Sequence, residues 1–297
     1  MPRDELADTV VRTWGGAGAA WLAGRDRLLA DLACELDLEL GAALPQTFHA
    51  VRAVTCSDGT AAVLKAGVPD GHLDAETTAL RAWDGDGAVR LLWADPARGV
   101  LLLERAAPGT ELTALPDDRA VEVVGGLLAR LHRAPVPAGL DHVAGERAAF
   151  DAHLARPDEP LPRTLVERAA SLWTRLCGSA DREVLLHGDL HQHNVLAATR
   201  EPWLAIDPHG RVGDPGYDCG QLLYNPLGAD PAELARRAPD RLDRLADAVG
   251  VPWDRAVAWG FAVCVLSEVW DADGDAGWTG PGTALAVARR LAPLVAE

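Results

Sequence analysis

Between residues 187 and 207 the sequence gathers side chains that could hold a divalent cation and take a proton. The stretch His187-Gly188-Asp189-Leu190-His191-Gln192-His193-Asn194 precedes two short strand patterns, 195–198 and 202–206, around the polar turn Thr199-Arg200-Glu201. The second strand runs directly into Asp207. Folding this hairpin back brings Asp207 beside Asn194, with Asp189 on the loop just before. Two carboxylates and an amide at one hairpin mouth offer the oxygen ligands that magnesium prefers. The histidines at 187, 191 and 193 admit a second reading, a zinc site. A plainer reading has His187 packed and bonded to backbone, with His191 and His193 partly exposed.

A second constellation lies upstream. Lysine occurs once, at position 65, against 27 arginines. A chain that uses arginine everywhere else marks Lys65 as a place for a compact point charge, which suits reaching phosphate in a confined site. Leu73, Glu76, Leu80 and Trp83 share one face of a helix predicted over 72–83. An acid on an apolar stripe is costly without a partner, and Lys65 is the one lysine available to Glu76.

The elements that must position these groups follow from periodicity. Residues 4–35 read mostly as helix, with Leu28, Leu29, Leu32 and Leu36 at helical spacing. Gly16-Ala17-Gly18 has no strand before it, so it does not open a dinucleotide fingerprint. Strands are predicted at 48–55 and 60–65 around Ser57-Asp58-Gly59, and at 89–94 and 100–104 around Asp95-Pro96-Ala97-Arg98-Gly99. Helices are predicted at 117–133 with Asp117 as N-cap, and at 163–177, 231–249, 253–270 and 281–295. Asp214-Pro215 reads as a cap followed by proline at the first helical position, and Asp218 as a structural acid one turn on, expected to bond the backbone of the 187–194 loop. The outcome is an α+β chain, strand-rich in its first third and helical afterwards, with a boundary at Pro108-Gly109.

Taken together, the loop resembles the catalytic loop shared by protein kinases and aminoglycoside phosphotransferases. Asp189 and Asn194 keep that loop's spacing, and Gly188 stands where protein kinases carry arginine. Asp207-Pro208-His209 stands where kinases have Asp-Phe-Gly. Over most of the chain the sequence is similar to the streptomycin 6-phosphotransferase and hydroxyurea phosphotransferase group. The carrying segments are Gly18-Ala19-Ala20-Trp21-Leu22, Arg81-Ala82-Trp83-Asp84-Gly85-Asp86-Gly87, Leu102-Leu103-Glu104-Arg105, Glu201-Pro202-Trp203-Leu204-Ala205-Ile206-Asp207-Pro208 and Gly213-Asp214-Pro215-Gly216-Tyr217-Asp218. Likeness weakens after residue 220, and His209 departs from the acidic residue expected there in streptomycin kinases.

The resemblance implies a bilobal protein-kinase-like fold. Residues 1–107 would form a nucleotide-binding lobe, and 108–297 a helical lobe with the catalytic loop and acceptor site. It implies ATP and Mg2+ as cofactors. Asp189 would be the catalytic base, and Asn194 and Asp207 the metal ligands. Lys65 and Glu76 would hold phosphate, and Glu104 to Ala106 would form the hinge whose backbone meets adenine. The loop at Gly41 to Thr47 lies where phosphates would be covered, without the glycine-rich pattern. The reaction would be transfer of a phosphoryl group to a hydroxyl of a small-molecule antibiotic: an aminoglycoside such as streptomycin, a hydroxyurea-like compound or a nucleoside antibiotic. An alternative is a choline-, homoserine- or sugar-type metabolite kinase of the same fold. A nucleotide-binding pseudokinase would have lost Lys65, Asp189, Asn194 or Asp207, and none is lost.

Composition bounds the rest. A formal net charge of −16 repels nucleic acid and anionic membranes, and it would suit a cationic substrate or simply solubility. There is no Walker A sequence, no run of about 18 apolar residues and no secretory pattern, and the five scattered cysteines form no CxxC pair. A cytoplasmic monomer or weak dimer is the expectation. Gly213-Asp214-Pro215 follows Asp207 too soon for a protein-kinase activation loop. Glu268, Trp270, Asp271, Asp273 and Asp275 cluster near a helix end. Glu268, Asp271 and Trp270, with His209, are candidate acceptor contacts; the plainer reading is a solvated acidic turn.

Overall fold

A computed structural model describes residues 5–157, 160–274, 280 and 282–296. The chain opens with helix α1, Glu5–Glu35, which breaks at Gly15 (φ 54°, ψ −125°). Gly18 then lets the two arms meet: a Cβ there would lie 2.4 Å from the Val10 carbonyl oxygen. Five antiparallel strands follow: β1 (Leu38–Ala43), β2 (Ala50–Cys56), β3 (Ala61–Ala66), β4 (Leu91–Asp95) and β5 (Val100–Glu104), in the order β1-β2-β3-β5-β4. Turn chemistry sets these hairpins. Asp58 accepts from the Thr60 amide at 2.8 Å beside Gly59 at φ 84°, and Asp95 accepts from Arg98 N before Gly99 at φ 68°.

Helix α2, His72–Trp83, crosses between β3 and β4 and buries Leu73, Leu80 and Trp83. Lys65 pairs in register with Val51 on one side and Leu101 on the other, so it points from the middle of the sheet. One face of the sheet, with Leu64, Ala62 and Val54, packs on Leu29 and Leu32 of α1.

The remainder is mostly helical: α3 (Asp117–Leu131), α4 (Arg147–Leu154), α5 (Arg163–Gly178), α6 (Pro231–Val249), α7 (Trp253–Asp273) and α8 (Thr283–Leu291). Two small sheets are set among them. One joins β6 (Pro108–Glu111), β8 (Val195–Ala198) and β9 (Trp203–Ala205); the other pairs β7 (Val184–Leu186) with β10 (Arg211–Gly213). The core centres on Trp173, Phe150, Trp259 and Phe261, all fully buried, with Trp173 and Trp259 edge-on at 5.0 Å. The α7 helix is apolar all round because it is buried on nearly every side. Among the described residues no single helix is long and apolar enough to cross a membrane; α6 and α7 reach that composition only as a pair bent by 119°.

The observed helices and main hairpins follow the predicted ones closely, with four differences. Asp117 is the first residue of α3 rather than its cap, because its carboxylate is taken by Arg237 and Arg241 of α6. The last predicted helix ends at Leu291 and continues as a tighter turn, Ala292–Leu294, forced by Pro293. The 253–270 helix runs on to Asp273. Helix α4 and strands β6, β7 and β10 were not anticipated; each is too short to show a period.

Candidate active site

The loop between β7 and β8 is held from beneath by one buried carboxylate. Asp218 accepts from the amides of His187 and Gly188, both at 2.9 Å, and faces His132 Nε2 at 2.9 Å. It is fully buried, so each of these bonds is made away from water and is costly to lose. The turn carrying Asp218 is itself fixed. Asp214 accepts from Gly216 N at 2.7 Å and from Arg255 Nε at 2.6 Å. Gly216 lies so close to Trp259 that a Cβ would stand 2.5 Å from the ring. The aromatic core of the helical region thereby sets the height of the loop that carries Asp189.

Gly188 has two reasons to be glycine. Its φ is 86°, and a Cβ would sit 2.9 Å from that of His209. His187 stacks on Trp83, with ring centroids 6.1 Å apart. Its Nδ1 accepts from Asp189 N at 3.2 Å, which leaves Nε2–H to donate to the Ile206 carbonyl at 3.0 Å. Burial pushes its pKa down to about 4, so the ring is neutral, as this pattern requires.

Asp189 is brought to Asn194 as the hairpin predicts. Asn194 Nδ2 donates to the Asp189 carbonyl at 2.9 Å and to its Oδ2 at 3.2 Å. His191 Nε2 lies 3.5 Å and His209 Nε2 3.9 Å from the same Oδ2. Asp189 Oδ1 has no hydrogen bond among the described residues. Turned this way, Asn194 also keeps its Oδ1 uncommitted among them. The zinc reading is not what the geometry supports: His187 faces Ile206, His193 bonds Glu111 at 2.8 Å, and His191 caps the turn after it. Among the described residues, no three His, Cys, Asp or Glu converge as ligands. A magnesium site of one carboxylate and one amide, completed by phosphates, needs no such cage.

Asp207 joins the two constellations. It is in the left-handed region at φ 58° and half exposed, and it pairs with Lys65 Nζ. Lys65 also donates to Glu76 Oε2 at 2.6 Å, and both are buried. Burial works against the Lys65 charge, but Asp207 and Glu76 outweigh it and hold its pKa above the ordinary lysine range. Burial draws the Glu76 carboxyl upward, only partly offset by Lys65. For Asp207 the balance reverses: although half its surface is open, the protein atoms packed around the carboxyl oppose ionisation, and Lys65 more than offsets them and holds it below the ordinary range. Nearby His49 is pushed down to about 3 by burial and then by Lys65.

At the sheet edge, Glu104 accepts two bonds from Arg200, at 2.8 and 2.9 Å, and one from Arg90 N at 3.0 Å. Its side chain therefore braces the β8–β9 turn. Past Glu104, the backbone groups of Arg105 and Ala106 take no hydrogen bond among the described residues. Arg200 also donates to the carbonyls of Gly85 and Ala88.

The acceptor candidates do not converge. Glu268 is fully buried and accepts from Gly282 N at 2.6 Å and Leu285 N at 3.1 Å. It caps α8 and cannot meet a substrate, which corrects the expectation for that residue. Asp273 is taken by His153 at 2.9 Å and Arg156 at 2.5 Å. Asp271 and Trp270 remain exposed, while Asp275 lies outside the described residues. His209 is exposed in the cleft and stacks on His72 at 6.5 Å. Tyr224, bonded to Ser267 and close enough to feel the Asp189 charge, was not anticipated. Nor were His132 and Arg200, whose partners lie 86 and 96 residues away and leave no local pattern.

A family model described as "Aminoglycoside/hydroxyurea antibiotic resistance kinase" matches residues 42–274. The chain belongs to this family. It is 37% identical to a streptomycin 6-kinase of Streptomyces glaucescens over 97% of this chain and 96% of that one. It is 38% identical to a hydroxyurea phosphotransferase of Kitasatospora aureofaciens over 91% of this chain and 79% of the relative. Among solved structures, the choline kinase LicA from Streptococcus pneumoniae superposes with a TM-score of 0.66 at 14% identity, covering 91% and 98% of the two chains. That likeness shows the kinase-like fold. As a member of this kinase family the chain is a phosphotransferase, and its cleft is read accordingly.

Proposed function

We propose that the cleft binds ATP with magnesium and transfers the γ-phosphoryl group to a hydroxyl of a small-molecule antibiotic, giving resistance or self-protection. The observation that carries this is that Lys65 binds both Glu76 and Asp207, while the amide of Ile206, next to Asp207, bonds the carbonyl of Asn194, which in turn holds Asp189. Streptomycin-like and hydroxyurea-like acceptors lead, since relatives over most of the chain are named for them.

Lys65, oriented by Glu76, holds the α- and β-phosphates and releases Asp207 as the nucleotide enters. Asn194 Oδ1 and Asp207 would hold magnesium, which would supply positive charge beside the phosphates. Asp189 orients the acceptor hydroxyl and takes its proton as the new O–P bond forms and the bond to the β-phosphate oxygen breaks. ADP and the phosphorylated acceptor leave. The transition state is loose, so placement and charge outweigh base strength, and the bonds fixing Asp189 matter as much as its basicity. Adenine meets the open backbone at Arg105 and Ala106, while Glu104 braces the hinge. Residues 1–107 and 108–297 act as the two lobes, in a monomer or weak dimer that works in the cytoplasm.

The test is ADP release with ATP and magnesium across streptomycin, other aminoglycosides, hydroxyurea, nucleoside antibiotics and choline. Turnover with an antibiotic supports the proposal. Turnover with choline alone would replace it with a metabolite kinase.

A further inference from the structure

The loop from Leu44 to His49 joins β1 to β2 above the Lys65 site and contains no glycine. A phosphate cover built on close backbone approach needs glycine, so this chain must hold phosphate there by another means. The register of β2 on β3 shows which side chain is available. Ala50 lies opposite Ala66 and Val51 opposite Lys65, so one step further His49 lies opposite Gly67. Side chains alternate along a strand, which puts His49 on the same sheet face as Lys65.

Gly67 leaves that place empty of side chain, and the imidazole leans into it: a Cβ on Gly67 would lie 2.3 Å from His49 Cδ2. Lys65, Asp207, Asp70 and His72 are the charged or titratable groups that act on the ring. The ring is half-buried, yet it makes no hydrogen bond among the described residues. A half-buried imidazole without a protein partner, beside the phosphate-binding lysine, is placed for a ligand acceptor.

The loop is also held still. Phe48 packs edge-on against Trp14 at 6.2 Å, and Trp14 Nε1 donates to Asp70 at 2.9 Å. Ala50 and Val68 are buried with Leu6 and Val10 of α1. The first arm of α1 thereby clasps both chain segments that flank the ring.

We propose that His49 is a nucleotide-binding residue that donates an N–H hydrogen bond to a β- or γ-phosphate oxygen next to Lys65. It takes over part of what a glycine-rich loop does elsewhere. The inference rests on the reading of the cleft as an ATP site.

The experiment is calorimetric titration of the full chain with magnesium-ATP and, separately, with AMP, which lacks those phosphates. His49→Ala should raise the Kd for magnesium-ATP about tenfold and leave that for AMP within about twofold. Its melting temperature should match the parent's. His49→Gln, which restores an N–H donor, should recover most of the loss. A magnesium-ATP Kd within about twofold of the parent's would overturn the assignment. So would equal weakening for ATP and AMP, or a glutamine variant no better than alanine. A parent protein that fails to bind magnesium-ATP would instead bring down the proposed function, and this contact with it.

Discussion

Two acidic regions of this chain look equally promising by residue type and behave in opposite ways. Around Asp189 and Asp207, the carboxylates come from different elements and are fixed from different sides, the Asp189 loop by Asp218 and His187 and Asp207 by Lys65. Around 268–273, the carboxylates sit along one helix and fan out with its 100° rotation per residue. Glu268 turns to α8, Asp273 to α4, and Asp271 to solvent. Carboxylates at hairpin roots can converge, whereas neighbours on a helix face different ways. Density of charge in sequence is therefore a poor sign of a site, and the supporting bonds are a better one.

That contrast can be broken by experiment. The sharpest test is Asp189→Ala, which should cut kcat by about 10³-fold while magnesium-ATP still binds. Retained turnover would remove Asp189 as the base and leave the two regions alike. Glu268→Ala should do the reverse. It strips both carboxylate bonds from the start of α8, so chemical denaturation should show a loss of about 3 kcal/mol. KM for ATP and acceptor should be unchanged in the folded variant; a selective rise in acceptor KM would return Glu268 to the substrate site.

Lys65→Arg keeps the charge but puts a broad, planar group where a compact one bridges Glu76 and Asp207. Steady-state kinetics should show kcat/KM lower by about tenfold, equal to about 1.4 kcal/mol. Equal rates would mean that the single lysine is incidental.

The smallest effect concerns pH. His187 is buried neutral, with its pKa lowered to about 4. The unfolded chain takes up a proton near the ordinary histidine value, and the folded chain does so only near 4. Stability from this group is therefore complete above the unfolded value and lost as pH falls toward the folded one. Melting curves should show a loss of about 1 kcal/mol from this ring between pH 7 and 5.5, absent in His187→Gln. A pH slope identical in the variant would assign that proton uptake elsewhere.

How far the sequence could be read depends on the range of the forces involved. The Asp58-Gly59 turn, the α2 stripe and the hairpin carrying Asn194 and Asp207 are set by neighbours within a few residues, and they were legible. Strands of three residues such as β7 and β10 have no period to detect, and they form only because a partner such as Arg211 for Leu186 arrives from 25 residues away. Gly188 was legible as a departure from the protein-kinase pattern, but its reason, the contact with His209, was not. Asp117 was misread because a carboxylate at a helix start looks like a cap until an arginine from α6 claims it.

By itself the sequence determined the α+β order of elements, the pairing of the one lysine with Glu76, and the spacing of Asp189, Asn194 and Asp207. Those depend on local periodicity and on the cost of a charge placed in an apolar stripe. Only the tertiary structure decided that Lys65 reaches Asp207, that His132 joins Asp218 beneath the 187–194 loop, that Glu268 is a cap, and that His49 shares a sheet face with the lysine. Each of these needs two groups brought together from 14 residues apart or more, or a register set by pairing. Such contacts are chosen by packing and by the need to satisfy buried polar atoms, and no local pattern records either.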